Sequence, residues 1–230
     1  LDLPFVIVSG KIGEDTAVAA MKAGAHDYLI KGQLSRLLPA VERELREAIF
    51  REEYRAAQKR LRYLAYYDKL TNLPNRISFL DHLNSEILQN QEFKVYAEHN
   101  TVGESAQNLF AVLLLSIDRF HNIKRSLGYE ISDKLLMAIA RRLEKCLIDL
   151  DTNVVARIGE DEFALLITEL KNQHDVINRA ERLYRELIKP SEINGATVCS
   201  TVSIGISLNQ DHNREPEKML RWADTAMQYA

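Results

Sequence analysis

Cysteine, proline and glycine are all scarce in this chain of 230 residues, and its sequence has no long apolar run. Two cysteines exclude a disulfide scaffold, and five prolines with nine glycines exclude a collagen-like or low-complexity chain. The longest apolar run, residues 111–117, has the length of a buried strand and falls far short of the about 20 residues of a membrane helix. The formal net charge of −3 lacks the positive excess that nucleic-acid binding needs. We therefore expect a cytoplasmic protein that binds neither membranes nor nucleic acids.

Apolar residues form 46% of the chain and charged residues 27%, the balance of a soluble globular protein. Residues 1–45 show the pattern strand, helix, strand, helix, which is half of an α/β unit. Two strands do not make an independently stable parallel sheet, because both faces and both edges need cover. We expect this part to belong to a larger domain.

Residues 46–66 are predicted to form a rod-like helical linker. No glycine or proline occurs between residues 40 and 71, and charges of both signs alternate there. Apolar residues step by three and four in two series: Leu34, Leu38, Val41, Leu45 and Ala48, then Phe50, Tyr54, Ala57, Leu61 and Leu64. Such stripes favour a coiled-coil homodimer. The alternative is a solvated helix that packs one stripe on its own domain.

Residues 67–230 are predicted to form one α/β domain of the α+β type. A buried-strand pattern at 109–117 and shorter ones alternate with amphipathic helices, but hairpin patterns interrupt them. We therefore expect a mainly antiparallel central sheet flanked by helices. Residues 90–108 show no periodicity and are predicted to be a polar surface loop.

A tight turn of three successive acids is the most informative local feature. Glu160, Asp161 and Glu162 follow Gly159 between two apolar strands. Adjacent carboxylates repel one another, so a cation should lie near, and a Mg²⁺ ion that shares its shell with substrate phosphates meets this need. The alternative is a solvated turn whose acids keep it soluble. Asp118 follows another apolar strand, where it is either a metal ligand or a helix N-cap.

Residues 64–230 resemble the GGDEF domain of diguanylate cyclases. The motifs that carry the resemblance are, in order, LAYYDKLTNLPNR at 64–76, LLLSIDRFHNIKRSLGYEISDKLL at 113–136, VVARIGEDEFALLI at 154–167, TVSIGISL at 201–208 and RWADTAMQYA at 221–230. The resemblance implies a nucleotidyl-cyclase-like sheet. In this family one domain binds one GTP, and two domains face each other. Each 3′-hydroxyl then attacks the other nucleotide's α-phosphate, which yields cyclic di-GMP and pyrophosphate.

Four residues match the functional positions of that family. The resemblance implies that Asp161 is a metal ligand with Glu162 as its neighbouring acid. It also implies that Gly159 lets the turn approach the phosphates and that Asp133 reads guanine. Mg²⁺ is the implied cofactor wherever GTP binds.

Three residues depart from the family pattern. Ser116 replaces the strand-end metal aspartate with a weak neutral ligand, although Asp118 could compensate. Lys124 replaces the guanine-reading asparagine, and an ammonium group has no acceptor. Glu160 replaces the second glycine and adds a negative charge where phosphates should approach. Together these changes argue against efficient catalysis.

The first 45 residues resemble the second half of a response-regulator receiver, a flavodoxin-like domain. Ser9 stands at that family's switch hydroxyl, and Lys31 stands at its signalling lysine. In the GGDEF family an R-x-x-D motif ahead of the signature binds inhibitory product. Its positions here are Leu150 and Asn153, so feedback at that place is not expected.

The favoured interpretation is a response-regulator-linked, degenerate GGDEF domain that binds GTP weakly or dimerises through the linker helix to regulate another output. A downstream phosphodiesterase domain is the expected partner. The first alternative is an active diguanylate cyclase in which Asp118 takes over metal binding. The second is an interaction domain without nucleotide affinity.

Overall fold

The structure, a computed structural model, describes residues 3–10, 14–99, 109–150, 152–209 and 215–230. The chain divides into two compact units, Leu1–Tyr63 and Leu64–Ala230. Within the described ranges, no helix is both long and apolar enough to cross a bilayer.

The first unit begins with the alternation of strand and helix that its sequence pattern predicts. Strand β1 (Val6–Ser9) pairs in parallel with β2 (Asp27–Ile30) across helix α1 (Glu14–Lys22). A short 3₁₀ helix (Lys31–Arg36) leads into α2 (Leu37–Tyr66). Helix α2 is 30 residues long because no glycine interrupts it and its single proline, Pro39, lies in its first turn, where a missing N–H is tolerated.

The second unit contains the remaining four helices and six strands of the described chain in mixed order. After α2 come α3 (Arg76–His99), β3 (Leu109–Ile117), α4 (Phe120–Leu150), β4 (Thr152–Arg157), β5 (Glu162–Leu170), α5 (Gln173–Leu187), β6 (Ser191–Ile193), β7 (Ala196–Val198), β8 (Val202–Leu208) and α6 (Pro216–Gln228).

The loop predicted over 90–108 is wrong for its first ten residues, which continue helix α3 to His99. Residues 90–99 lack glycine and proline and include the good helix formers glutamine, glutamate, lysine and alanine. Helix propensity therefore outweighs the absence of an apolar stripe. The rest of the predicted loop, residues 100–108, lies outside the described residues.

The predicted antiparallel sheet with helices on both sides is confirmed. Four strands lie in the order β4-β5-β3-β8, and every neighbouring pair is antiparallel. Alternate residues of β3 enter opposite cores: Leu113 and Leu115 pack with residues of α4 and α5, whereas Val112 and Leu114 pack with residues of α3 and α6. Because both faces are covered, β3 reads as one continuous apolar run.

Helix α4 contains a break at Gly128. Gly128 has φ 83° and ψ 171° inside the helix. This left-handed backbone favours glycine, which has no Cβ to clash. The kink separates the part of α4 that carries Lys124 from the part that carries Asp133.

Candidate functional site

The acidic turn lies between β4 and β5, next to the end of the central strand β3. In the sheet register, Ser116 of β3 is opposite Glu162 of β5 on one side and Ser203 of β8 on the other. The backbone N–H of Ile117 donates to the carbonyl of Asp161 at 3.3 Å. The register therefore brings the strand end and the signature turn together, although they are distant in sequence.

Ser116 and Asp161 contact each other directly. The Ser116 hydroxyl donates to Oδ2 of Asp161 at 3.2 Å. A carboxylate at the position of Ser116 would repel Asp161 and call for a cation between them, whereas the neutral hydroxyl donates a hydrogen bond to Oδ2 of Asp161. One hydrogen bond thus occupies the two positions at which the resemblance implies metal ligands.

Asp118 binds hydroxyls of the neighbouring strand. Its carboxylate accepts hydrogen bonds from Thr201 Oγ1 at 2.5 Å and from Ser203 Oγ at 2.8 Å. Its backbone N–H donates to the carbonyl of Thr201 at 3.0 Å. These contacts bind one oxygen of Asp118 to Thr201, just before β8, and the other to Ser203 in β8. The carboxylate therefore has hydrogen-bond partners without a cation.

The residues present fit a site for two Mg²⁺ ions poorly, because Ser116 offers a neutral oxygen where the resemblance implies a carboxylate. Mg²⁺ needs near-ideal octahedral oxygen ligands, usually one or two carboxylates with substrate phosphates. In the described part of the chain, no three His, Cys, Asp or Glu side chains come together in a way that could hold a metal ion. Asp161 is bound by Ser116, and Asp118 is bound by Thr201 and Ser203.

The other two departures from the family pattern form an ion pair with each other. The Lys124 ammonium on α4 donates to Oε1 of Glu160 in the turn. Its Nζ also lies 4.7 Å from the centre of the Tyr129 ring, a cation–π contact. The hydrogen bond from Lys124 lowers the pKa of Glu160, and the same bond raises the pKa of Lys124, to which Asp133 also contributes. At the position where the resemblance implies guanine recognition, the charge of Lys124 is therefore already paired with that of Glu160.

Arg157 and Asp68 hold the turn from the other side, and the sequence analysis missed both. Arg157 Nη1 donates to the two carboxylate oxygens of Asp68 at 3.0 and 3.1 Å, and its Nη2 donates to the Glu160 carbonyl at 2.7 Å. Asp68 Oδ1 also accepts from the N–H and the hydroxyl of Thr71 at 2.8 and 2.7 Å. The spacing Asp-x-x-Thr at 68–71 is a local signal for such a turn.

The charge state of Asp68 follows from these contacts. Burial by itself raises the pKa of Asp68, but the hydrogen bonds from Thr71 and Arg157 outweigh burial and leave that pKa below its usual value. Asp68 therefore stays ionised well into the acidic range and keeps Arg157 in place beneath the turn.

Glu162 and Gly159 share a crowded corner of the turn. Burial raises the pKa of Glu162, the carboxylates of Asp161 and Asp224 raise it further, and Arg76 opposes them. A Cβ at Gly159 would lie 2.6 Å from Oε2 of Glu162 and 3.1 Å from its Cβ. Glycine leaves room here for the Glu162 side chain, and a larger residue would force that side chain to shift.

Leu150 and Asn153 are the two residues at the positions of the family's product-inhibition motif. The side chains of Leu150 and Asn153 lie outside the described residues, so the predicted loss of product feedback stays a prediction.

An open groove of about 1170 Å³ lies beside Asp118, between the start of α4 and the residues just before β8. Its lining includes Arg119, Asn122 and Thr201 but neither Lys124 nor Asp161. It is therefore separate from the ion pair.

Comparison with known protein families identifies one domain. The family described as "Diguanylate cyclase, GGDEF domain" matches residues 65–230. This range covers all the residues of the site described above and most of the chain.

Two curated relatives from Pseudomonas aeruginosa match the same region. The cyclic di-GMP phosphodiesterase NbdA is 32% identical over 171 residues, which are 74% of this chain and 20% of NbdA. The diguanylate cyclase TpbB is 33% identical over 171 residues, which are 74% of this chain and 36% of TpbB. The chain thus spans between a fifth and about a third of the length of these relatives.

A solved structure that comprises only the GGDEF domain of TpbB has the same fold. It superimposes with a TM-score of 0.62 and 32% sequence identity, and the match covers 72% of this chain and 88% of that one.

Proposed function

Because the chain belongs to the GGDEF family of diguanylate cyclases, we propose that residues 67–230 are a cyclic di-GMP signalling domain whose own catalysis is impaired. Its remaining role is regulatory, through weak GTP binding or through dimerisation. The single observation that carries this proposal is the hydrogen bond from Ser116 to Asp161. It joins the two side chains that would have to hold metal ions, and one of the two is neutral.

The chemistry of the site supports impaired catalysis. Mg²⁺ held at Ser116 and Asp161 would supply positive charge to neutralise the phosphates. Ser116 offers only a neutral oxygen, and Asp118 is bound to Thr201 and Ser203. Glu160 adds a negative charge to the turn that phosphates should approach. Losing one positioned electrostatic contact typically costs about 3 kcal/mol of transition-state stabilisation, and here two such contacts are altered.

The base-binding end is altered as well. An asparagine amide offers both a donor and an acceptor to guanine, whereas the Lys124 ammonium offers donors alone. In this chain those donors point to Glu160 and to the ring of Tyr129. Asp133 is retained near Lys124, so part of the guanine contact set survives. We expect weak GTP binding with reduced preference for guanine.

The proposed partner is a second copy of the chain, held through α2. Large apolar side chains are exposed along that helix, including Leu38, Phe50, Tyr54 and Leu61 at 57–69% of their surface. Helices with such stripes pair in water because pairing buries apolar surface. We also propose that residues 1–45 are part of a receiver domain and that the output is a phosphodiesterase domain. The phosphodiesterase name of NbdA, a relative at 32% identity, supports the latter.

An active diguanylate cyclase is the second candidate. Asp161, Glu162 and Asp133 are retained, and TpbB, whose name is that of a diguanylate cyclase, is 33% identical in this region. A domain without nucleotide affinity is the third candidate, and a melting temperature unchanged by millimolar GTP and Mg²⁺ would favour it.

Mass spectrometry separates impaired from active catalysis, the first two candidates. The natural chain is incubated with GTP and Mg²⁺, and cyclic di-GMP and its linear intermediate are measured. A restored variant carries Ser116→Asp, Lys124→Asn and Glu160→Gly, and its matched control adds Asp161→Ala. We expect product from the restored variant alone. Product from the natural chain at a comparable rate would refute impaired catalysis.

A further inference from the structure

We propose that Lys124 and Glu160 form an internal latch, in which the Glu160 carboxylate is the resident ligand of the Lys124 ammonium and a nucleotide uses the signature turn only by breaking their ion pair. The proposal rests on the function proposed above, because it assumes that the turn borders a nucleotide site. It adds that two departures from the family pattern act as one unit and do not impair the site independently.

The geometry shows that Glu160 is held on two sides. Its side chain binds Lys124 of α4, and its backbone carbonyl accepts a hydrogen bond from Arg157. Arg157 in turn donates hydrogen bonds to both carboxylate oxygens of Asp68. Glu160 therefore connects the turn to helix α4 through its side chain. Through its backbone and Arg157, it also connects the turn to Asp68, in the segment that follows α2.

Among the described residues, Glu160 is the acid that lies within hydrogen-bonding distance of Lys124. Its side chain keeps 25% of its surface exposed, and its Nζ lies over the Tyr129 ring. Glu160 keeps 60% of its side-chain surface exposed, so the pair lies at the surface where an anionic ligand can reach it. An incoming phosphate would compete with the carboxylate for the ammonium.

Charge explains why the two substitutions belong together. Glu160, Asp161 and Glu162 are consecutive carboxylates, and such a turn needs nearby positive charge. Asp161 accepts a hydrogen bond from the Ser116 hydroxyl, and Glu160 accepts one from the Lys124 ammonium. The cation that the acidic turn requires is thus supplied by a side chain, a role that a metal ion would otherwise fill.

Amide hydrogen exchange of the turn in the full chain tests the latch without any nucleotide. The probes are the N–H groups of Ile158 and Gly159, which donate to the Glu162 carbonyl at 3.0 and 3.4 Å. We expect Lys124→Gln and Glu160→Gln each to speed this exchange by about two- to fivefold, the range typical of an exposed ion pair. The double variant should exchange no faster than either single variant, since both remove the same contact.

The matched control is Lys134→Gln, which breaks the exposed Lys134–Glu130 pair on the same helix and should leave both probes unchanged. Unchanged exchange in the single variants, or effects that multiply in the double variant, would overturn the latch.

Calorimetric titration with Mg²⁺·GTP tests the competition. We expect Glu160→Gln to raise the association constant by up to about fivefold in the natural background, and by less than about twofold when Lys124→Gln is present. An equal gain in both backgrounds, or no measurable binding in any variant, would refute the competition. Cyclic di-GMP made by the natural chain would instead refute impaired catalysis and would leave the exchange result to decide on the latch.

Discussion

Replacing Asp68 by asparagine tests whether the Arg157–Asp68 contact supports the signature turn. The change keeps the shape of the side chain and one acceptor for Thr71, but it removes the charge that faces Arg157. The Arg157 side chain is only 11% exposed, so its guanidinium loses a charged partner with little water to replace it. Hydrogen bonds to charged groups contribute about 1.5–3 kcal/mol each.

We expect Asp68→Asn to lower the stability of the second unit by about 2 kcal/mol, because asparagine retains part of the hydrogen bonding. For a domain of this size that corresponds to a melting temperature lower by about 4–8 °C. The assay is thermal unfolding at pH 7 by circular dichroism, with Glu130→Gln as the control. That substitution breaks a surface pair with Lys134 and should shift melting by less than about 2 °C.

The pH dependence of this effect has a definite sign. The folded pKa of Asp68 lies below its ordinary value, so its ionised form stabilises the folded protein. That contribution is present above the ordinary pKa of about 4 and is lost as the pH falls through the folded pKa. The difference between natural chain and variant should therefore shrink below about pH 4. A difference that is absent at pH 7, or that stays constant from pH 7 to pH 3, would refute the proposed role of Asp68.

Three further predictions concern other parts of the chain. Gly205→Ala places a Cβ 1.9 Å from the Ala223 carbonyl and 2.4 Å from a backbone nitrogen of α6. We expect the free energy of unfolding, measured with urea, to fall by about 3 kcal/mol. The control is Gly32→Ala, whose Cβ meets nothing within 4 Å, and an effect of Gly205→Ala no larger than that of the control would contradict the prediction. Glu162→Gln should raise the melting temperature at pH 7, because burial and the neighbouring carboxylates penalise the ionised form; the gain should fade as the pH falls through the raised folded pKa, and a gain that persists in acid would exclude this cause. Leu61→Asp on α2 should halve the mass measured by light scattering if the chain dimerises through that helix, and a natural chain that is already monomeric would exclude the dimer.

The sequence by itself predicts the elements whose pattern is local. The apolar run of β3 indicates a strand with both faces covered, and Gly128 marks the break in α4. The acidic turn is correctly placed between two strands, and its need for a cation follows from charge alone. Helix α3 is the exception, since its last ten residues lack the apolar stripe on which the prediction relied and are helical through propensity.

Only the tertiary structure decided which polar side chains meet. Ser116 and Asp161 are 45 residues apart, Lys124 and Glu160 are 36 apart, and Arg157 and Asp68 are 89 apart. These contacts depend on the register of β3 with β5 and on the position of α4 against the turn. A local pattern specifies which face of an element is apolar, but it does not specify which residue of a distant element lies opposite. The sequence therefore predicted a cation near the acidic turn, and the packing brings the ammonium of Lys124 to the Glu160 carboxylate and the guanidinium of Arg157 to the Glu160 carbonyl.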